Sequence, residues 1–251
     1  MPNPVSKIFD LNRPFTFFHT HVIDRTVMDA AIAAGKSLEI DISVDPGGSI
    51  YVGHPLVHYE VNHLPPPNNL PLEQIVAESK QANLFLVFDC KDVRVLPTVR
   101  RIVQEYGADN CVLHSFAQEL SFKPWPPKVL AKAEPSWGGE ELPLQEMLKL
   151  KRATGAPLIL TCHGMTLTRL EKEEAQIIEQ VLAVAAKDVE IISFFLSIID
   201  EILPLSIAGK LIDRGILPVV NVDHTPPEAR PEVFFGSTDV LGFASDPSNF
   251  R

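Results

Sequence analysis

A regular alternation of short apolar segments with helical patterns constrains the fold of this chain more than any other feature. The apolar segments have the length of strands, whereas the segments between them repeat apolar residues every three or four positions, as amphipathic helices do. One predicted helix covers 24–35, with an aspartate at its start and a glycine at its end, and a longer helix is predicted at 167–187. Eight principal strands are predicted, at 14–19, 37–44, 84–91, 110–116, 157–163, 190–197, 217–224 and 239–246.

Strands that are joined by helical crossovers form a parallel sheet, and eight of them predict a closed (β/α)₈ TIM barrel. An open, doubly wound sheet would be expected to carry a glycine-rich phosphate loop after its first strand, and none follows residue 19. A length of 251 residues is ordinary for one barrel, so we expect a single domain over 1–251.

The charge and the cysteines limit the possible partners and the compartment. A net charge of −10 argues against a nucleic-acid or anionic-membrane binder, which needs a basic surface, although an acidic protein can still process phosphate esters where a cation reverses the local field. The three cysteines are far apart, which predicts free thiols. No apolar leader or membrane span is read from the sequence, and a cytoplasmic location is expected. The oligomeric state is not predicted.

Polar residues collect where the predicted strands end, which is the active-site face of a TIM barrel. Side chains alternate across a strand. Glu39 and Asp41 therefore share one face of the second predicted strand, and Asp89 and Lys91 share one face of the third. Three carboxylates that converge would repel one another unless they were protonated, paired or bound to a cation. Oxygen ligands of this kind suit Mg²⁺ or Ca²⁺. A purely structural ion pair of Lys91 with one of the carboxylates is the alternative.

Two histidines one residue apart, His19 and His21, end the first predicted strand and allow a second kind of metal site. In amidohydrolase-type barrels a pair of this spacing binds a transition metal, and His163 and Asp246 stand at fitting strand ends. However, the fourth predicted strand lacks a lysine or glutamate and the sixth lacks a histidine, so this site is only half filled.

A different set of motifs is complete. His19 precedes the Glu39–Asp41 pair, His54 follows it, and Asp89 with Lys91 closes the third strand. This order resembles the glycerophosphodiester phosphodiesterase-like superfamily of phospholipase C-type TIM barrels. The text "LFLVFDCKD" and the ending "STDVLGFASDPSNF" are similar to motifs of that superfamily, and the first is locally similar to its sphingomyelinase D branch.

The resemblance implies a metal-dependent phosphodiesterase that acts on glycerophosphodiesters or (lyso)phospholipid-type substrates. According to this resemblance, the metal ligands are Glu39, Asp41 and Asp89, and the general acid–base pair is His19 and His54. Lys91 would contact the phosphate, and His21 would lie on the substrate side.

Two departures from the family pattern bear on specificity. Thr20 stands where the family has an arginine after its first histidine, and Pro55 stands where it has an aspartate after the second. Arg25 is a candidate replacement for the missing arginine. The absence of that arginine also motivates a further alternative, a barrel that binds a phosphorylated ligand without turning it over.

The remaining polar and aromatic residues are expected to be structural. They include His114 and the other histidines outside the motifs, together with Trp125 and Trp137 in a segment, 117–142, that is predicted to be irregular. If this segment folds over the barrel mouth, one of the tryptophans would line the site.

Overall fold

The computed structural model describes most of the first two thirds of the chain and the later strands. The described residues are 15–18, 23–35, 37–61, 68–121, 141–163, 191–195, 217–221 and 242–245, with helical positions at 176, 179–181 and 183–184.

The described strands form one sheet of ten. In chain order they are β1 (Phe15–Phe18), β2 (Ser37–Val44), β3 (Ile50–Val52), β4 (Leu86–Cys90), β5 (Cys111–Ser121), β6 (Glu141–Leu142), β7 (Leu158–His163), β8 (Ile191–Phe195), β9 (Leu217–Asn221) and β10 (Gly242–Ser245). The helices that the structure describes from end to end are α1 (Arg25–Ala34), α2 (Leu56–Val61), α3 (Leu72–Gln81), α4 (Leu96–Tyr106) and α5 (Leu144–Thr154), with 3₁₀ turns at Val93–Val95 and Ala108–Asn110.

The sheet closes on itself through β1. This strand pairs in parallel with β10 on one side, where Phe15 is opposite Gly242, and with β2 on the other, where Phe18 is opposite Leu38. The order then runs β10, β9, β8, β7, β5, β4 and β2, and every one of these neighbouring pairs is parallel. Only β3, which is antiparallel to β2, and the short β6 lie outside this ring of strands. The predicted eight-stranded TIM barrel is therefore confirmed.

One apolar layer joins the ring to the helices around it. Leu38, Ile40 and Ile42 alternate along β2 with its polar residues and pack in a single core with helix residues such as Met28 and Ile75. Burying side chains of this size contributes about 1.5–3 kcal/mol each, so this layer fixes which face of β2 points inward. The polar residues of the same strand must then face the inside of the ring.

Local sequence signals set the helix ends where they were predicted. The Asp24 side chain accepts a hydrogen bond from the backbone N–H of Val27 at 2.9 Å, which caps the start of α1. Gly35 ends the same helix in the left-handed region, with φ of 59°, where a glycine avoids the steric penalty of a β-carbon. The predictions of an aspartate start and a glycine stop are confirmed.

One prediction of local structure was wrong, and one helix was not predicted. The segment 117–142 is not irregular at its ends, because β5 continues to Ser121 and β6 begins at Glu141. The short helix α2 was not predicted at all, since its six residues are too few to show a helical period. Residues 122–140, with both tryptophans, and most of the helix predicted at 167–187 lie outside the described residues.

None of the helices within the described ranges combines the length and the apolar character that crossing a bilayer requires.

Candidate active site

The strand register brings three polar residues to one level of the barrel. Asp41 of β2 is opposite Asp89 of β4, and Asp89 is opposite His114 of β5. Register partners in a parallel sheet project to the same face, so all three side chains point into the ring. Each is buried. Glu39 lies two residues before Asp41 on the same inward face.

A buried lysine joins two of the carboxylates. Lys91 follows β4 and donates a hydrogen bond from Nζ to Oδ2 of Asp89 at 2.7 Å. The same nitrogen lies 3.3 Å from Oδ1 of Asp41 and 4.9 Å from the ring centroid of Phe116. Because only 1% of the lysine side chain is exposed, its charge is compensated by these two acids and the aromatic face and receives little help from water.

His114 occupies the centre of the group. Its Nδ1 lies 2.5 Å from Oε1 of Glu39 and 3.3 Å from Oδ2 of Asp89. Its Nε2 lies 2.5 Å from Oγ1 of Thr161, which belongs to β7. The imidazole therefore connects the carboxylates of β2 and β4 with a hydroxyl on the far side of β5.

Burial and neighbouring charges act on the protonation of this group in opposite directions. Burial raises the pKa of Asp89 above its usual range, although the nearby His114 and Lys91 favour the ionised form. Burial would lower the pKa of His114, but the carboxylates of Asp89 and Glu39 outweigh it and leave that pKa raised. In the folded protein both groups therefore hold their protons to a higher pH than they would in water.

A small hairpin positions His54 beside the same cluster. Its backbone N–H donates to the Tyr59 hydroxyl at 3.1 Å, and its backbone carbonyl accepts from the Tyr51 hydroxyl at 2.7 Å. The preceding residue, Gly53, donates its N–H to the backbone carbonyl of Asp41 at 2.9 Å. With its backbone held in this way, His54 places Nε2 at 3.2 Å from Oδ2 of Asp41.

The donor set fits a bound cation. Glu39, Asp89 and His114 each offer one ligand atom, and these atoms all lie within 4.8 Å of one another. Oδ1 of Asp89 is buried and has no hydrogen-bond partner among the described residues, which is costly for a carboxylate oxygen unless something else coordinates it. These residues could therefore hold a divalent ion.

The structure brings together five of the residues predicted for the site: Glu39, Asp41, His54, Asp89 and Lys91. His19, His21 and Asp246 lie outside the described residues, and His163 is described only in its backbone, as the last residue of β7. The half-filled transition-metal set is therefore not tested.

Arg25 is engaged elsewhere. Its guanidinium makes two hydrogen bonds with the carboxylate of Glu78, at 2.6 and 2.8 Å, and so joins α1 to α3 in the helical layer. It is thereby committed to an ion pair on the outer helices, which argues against it as a replacement for the missing phosphate-binding arginine.

Sequence reasoning missed His114 and Thr161. His114 was expected to be structural, like the other histidines outside the motifs. The signal that could have found it is its register: it is the residue of β5 that comes opposite Asp89. Register across a parallel sheet cannot be read from one strand, so spacing alone did not reveal it.

Comparisons with known proteins support the fold. No family model and no curated protein sequence matches the chain. Among solved structures, it is similar to a glycerophosphodiester phosphodiesterase from Thermotoga maritima, with 12% identity, a TM-score of 0.56, and 95% of this chain and 96% of that chain covered. It is also similar to a glycerophosphoryl diester phosphodiesterase from Parabacteroides distasonis, with 12% identity, a TM-score of 0.55, and 99% and 90% covered.

A barrel of different activity matches at a similar level. Dihydropteroate synthase from Thermus thermophilus has 9% identity and a TM-score of 0.51, with 96% of this chain and 91% of that chain covered. Likeness at this level concerns the fold, because one barrel fold supports many chemistries. The resemblance inferred from the motifs is confirmed at that level: the chain has the TIM-barrel fold of the glycerophosphodiester phosphodiesterases.

Proposed function

We propose that this protein is a metal-dependent phosphodiester hydrolase that acts on glycerophosphodiesters or (lyso)phospholipid-type molecules. The observation that carries the proposal is a buried contact network toward the carboxyl ends of β2 and β4. Asp41 contacts His54 and Lys91, Lys91 contacts Asp89, and His114 connects Asp89 with Glu39. A barrel of this type places its chemistry at those strand ends.

The charges of the network are suited to a phosphodiester only if a cation is added. The carboxylates alone would repel the anionic substrate, whereas a divalent ion reverses the local field. Glu39, Asp41 and Asp89 are the proposed ligands, and Mg²⁺ or Ca²⁺ is the ion expected from carboxylate ligands. When bound, the ion would neutralise charge that develops on the non-bridging phosphate oxygens.

The two histidines have the proposed acid–base roles. One removes a proton from the attacking hydroxyl or water, and the other donates a proton to the leaving alkoxide. The contact of His54 with Asp41 supports this role, since a carboxylate partner orients the ring. For His19, the support is that β1 ends at Phe18, opposite the residue before Glu39.

Substrate binding is assigned to two further residues. Lys91 would contact the phosphate, because its ammonium group lies beside Asp41 and Asp89, two of the proposed ligands of the ion that would bind the phosphate. His21 is proposed on the substrate side, two residues beyond His19. The lysine charge would add to the stabilisation of the transition state, which is commonly the largest contribution to catalysis.

The test is hydrolysis of glycerophosphocholine and lysophosphatidylcholine by the purified protein, with Mg²⁺ or Ca²⁺ and with a chelator. Activity should require the cation and should fall at least about 100-fold in Glu39→Gln, Asp89→Asn and His54→Gln. Asp29→Asn is the matched control, since 62% of that side chain is exposed on α1.

Two outcomes would contradict the proposal. If His54→Gln and His19→Ala both kept full activity, these two histidines would not be the general acid–base pair. Cation-dependent binding of glycerophosphocholine with no product after prolonged incubation would instead support the alternative in which the barrel binds a phosphorylated ligand without turning it over.

A further inference from the structure

We propose that His114 is itself a metal ligand and that it biases this site toward a divalent transition ion, such as Co²⁺ or Zn²⁺, over Mg²⁺ and Ca²⁺. The inference deepens the proposed function, because it rests on a cation binding among these carboxylates, but it assigns a ligand that the sequence motifs did not contain.

The position of the ring is the first argument. Nδ1 of His114 lies 2.5 Å from Oε1 of Glu39 and 3.3 Å from Oδ2 of Asp89, so this ring nitrogen faces the two carboxylates that form the candidate ligand group. Only 7% of the residue is exposed, and its register opposite Asp89 places it on the inner face of the ring. A cation that binds both carboxylates therefore lies within reach of this nitrogen.

The contact on the other side of the ring is the second argument. Nε2 of His114 lies 2.5 Å from Oγ1 of Thr161, a hydroxyl oxygen that can accept a hydrogen bond from Nε2–H. With the proton on Nε2, the lone pair on Nδ1 is available to a metal. A hydrogen bond from the non-ligating ring nitrogen is the usual way in which proteins orient a metal-binding histidine.

The unsatisfied oxygen is the third argument. Asp89 is fully buried, and while its Oδ2 is bonded to Lys91, its Oδ1 has no hydrogen-bond partner among the described residues. A buried carboxylate oxygen without a partner, on a residue whose other oxygen lies 3.3 Å from a histidine nitrogen, is what a ligand set lacking its ion would show.

The chemistry of the donors then selects the ion. Carboxylates alone suit Mg²⁺, Ca²⁺ and Mn²⁺, whereas imidazole nitrogen favours transition ions such as Zn²⁺. The set formed by Glu39, Asp89 and His114 contains two oxygen donors and one nitrogen donor. Exchange of that one nitrogen for oxygen should therefore lower the affinity for a transition ion and leave the affinity for Mg²⁺ nearly unchanged.

The experiment uses the full chain, stripped of metal by a chelator and dialysed. Isothermal titration with CoCl₂ and with MgCl₂ measures both affinities, and visible absorption of the Co²⁺ complex reports its donor atoms. We expect the wild-type protein to bind Co²⁺ more tightly than Mg²⁺. His114→Gln should weaken Co²⁺ binding at least about tenfold, change the absorption bands, and alter Mg²⁺ binding less than about threefold.

Two further variants separate ligation from folding. Thr161→Val keeps the imidazole but removes its Nε2 partner, so it should weaken Co²⁺ binding by about 10- to 100-fold while the nitrogen-donor bands persist. His54→Gln removes a different buried histidine and should leave the Co²⁺ bands unchanged. Circular dichroism and thermal unfolding show which variants keep the fold.

The result that would overturn the inference is specific to His114. If His114→Gln and Thr161→Val leave both the Co²⁺ affinity and the bands unchanged, while Glu39→Gln and Asp89→Asn abolish binding, His114 is not a ligand and the proposed hydrolase is unaffected. If the wild-type protein binds neither ion, the cation-dependent function fails as well.

Discussion

The Nδ1 atom of His114 lies 2.5 Å from Oε1 of Glu39, although the two residues are 75 positions apart in the chain. They meet because β4 lies between their strands in the ring and all three strands turn the same alternate residues inward. A pair at this distance is a charge-assisted hydrogen bond when a proton lies between the atoms. The same two atoms become neighbouring ligands when a cation replaces that proton.

Removal of the buried lysine should destabilise the protein unless a cation is supplied. In Lys91→Met the carboxylates of Asp41 and Asp89 lose their ammonium partner, and loss of one member of a buried ion pair costs about 3–5 kcal/mol. Urea unfolding at pH 8 measures this loss, and added Co²⁺ or Mg²⁺ should restore part of it. Lys149→Met is the control, because 66% of that side chain is exposed, and it should change stability by less than about 0.5 kcal/mol. A stability of Lys91→Met equal to that of the control would show that the ion pair does not stabilise the fold.

The Tyr59 hydroxyl should act on catalysis through the position of His54. Tyr59→Phe removes the acceptor of the His54 backbone N–H but leaves the imidazole in place. Hydrolysis should fall about tenfold, against the loss of at least 100-fold expected for His54→Gln, because the ring is displaced while its acid–base group remains. The two rates are compared at saturating substrate, and an optimum pH that is unchanged in Tyr59→Phe would agree with a positioning role. Equal losses in the two variants would contradict it.

The two cysteines whose side chains the structure describes, Cys90 and Cys111, should not react in the native protein. Both are buried, and burial raises the pKa of the Cys90 thiol far above its usual range and that of Cys111 to about 12, so almost no thiolate is present at pH 8. Iodoacetamide treatment, followed by digestion and mass spectrometry, should find both unlabelled until urea is added. An Ala33→Cys variant provides a reactive control on the exposed face of α1. Labelling of Cys90 at the rate of this control would contradict the burial of the apolar layer.

The ion pair between α1 and α3 should give stability that is lost in acid. Hydrogen bonds from the side chain of Arg25, and a further one from Gln74, lower the pKa of Glu78 from 4.5 to about 2. A carboxyl group whose pKa is lower in the folded state stabilises that state above its unfolded pKa, so the contribution is complete above pH 4.5 and disappears as the pH falls toward 2. The difference in unfolding free energy between wild type and Glu78→Gln should follow this window.

Two controls accompany the acid experiment. In an Arg25→Gln background the Glu78→Gln substitution should have little effect, since the charged partner is already absent. In wild type the advantage should shrink in high salt, because both side chains are partly exposed and their attraction is screened. An advantage that persists unchanged at pH 2 would contradict the assignment to this pair.

The fold was predictable because its signals are local. The period-two pattern of Ser37–Val44 and the helical period of Leu96–Tyr106 are each visible within a dozen residues, and burial of the apolar face decides the orientation of each element. The aspartate cap and the glycine stop of α1 are equally local. The short α2 lacks such a signal, and β5 continues into a segment whose later prolines suggested a loop.

The candidate site was only partly predictable, for a physical reason. Glu39 and Asp41, or Asp89 and Lys91, are two residues apart, so strand geometry alone places each pair on one face. The role of His114 depends on the register between β4 and β5 and on a hydroxyl from β7. Those relations are set by the packing of the whole barrel, and no single stretch of sequence contains them.

The closure of the ring through β1 has a consequence for how the protein is made. β1 is made before every other described strand of the ring, yet one of its two partners, β10, is made after all of them. Until then β1 and β9 each keep an unpaired backbone edge, the kind of surface that promotes aggregation of nascent chains. Loss of Gly242–Ser245 would open the barrel wall between β9 and β1, so a deletion confined to this short strand should be far more harmful than its length suggests.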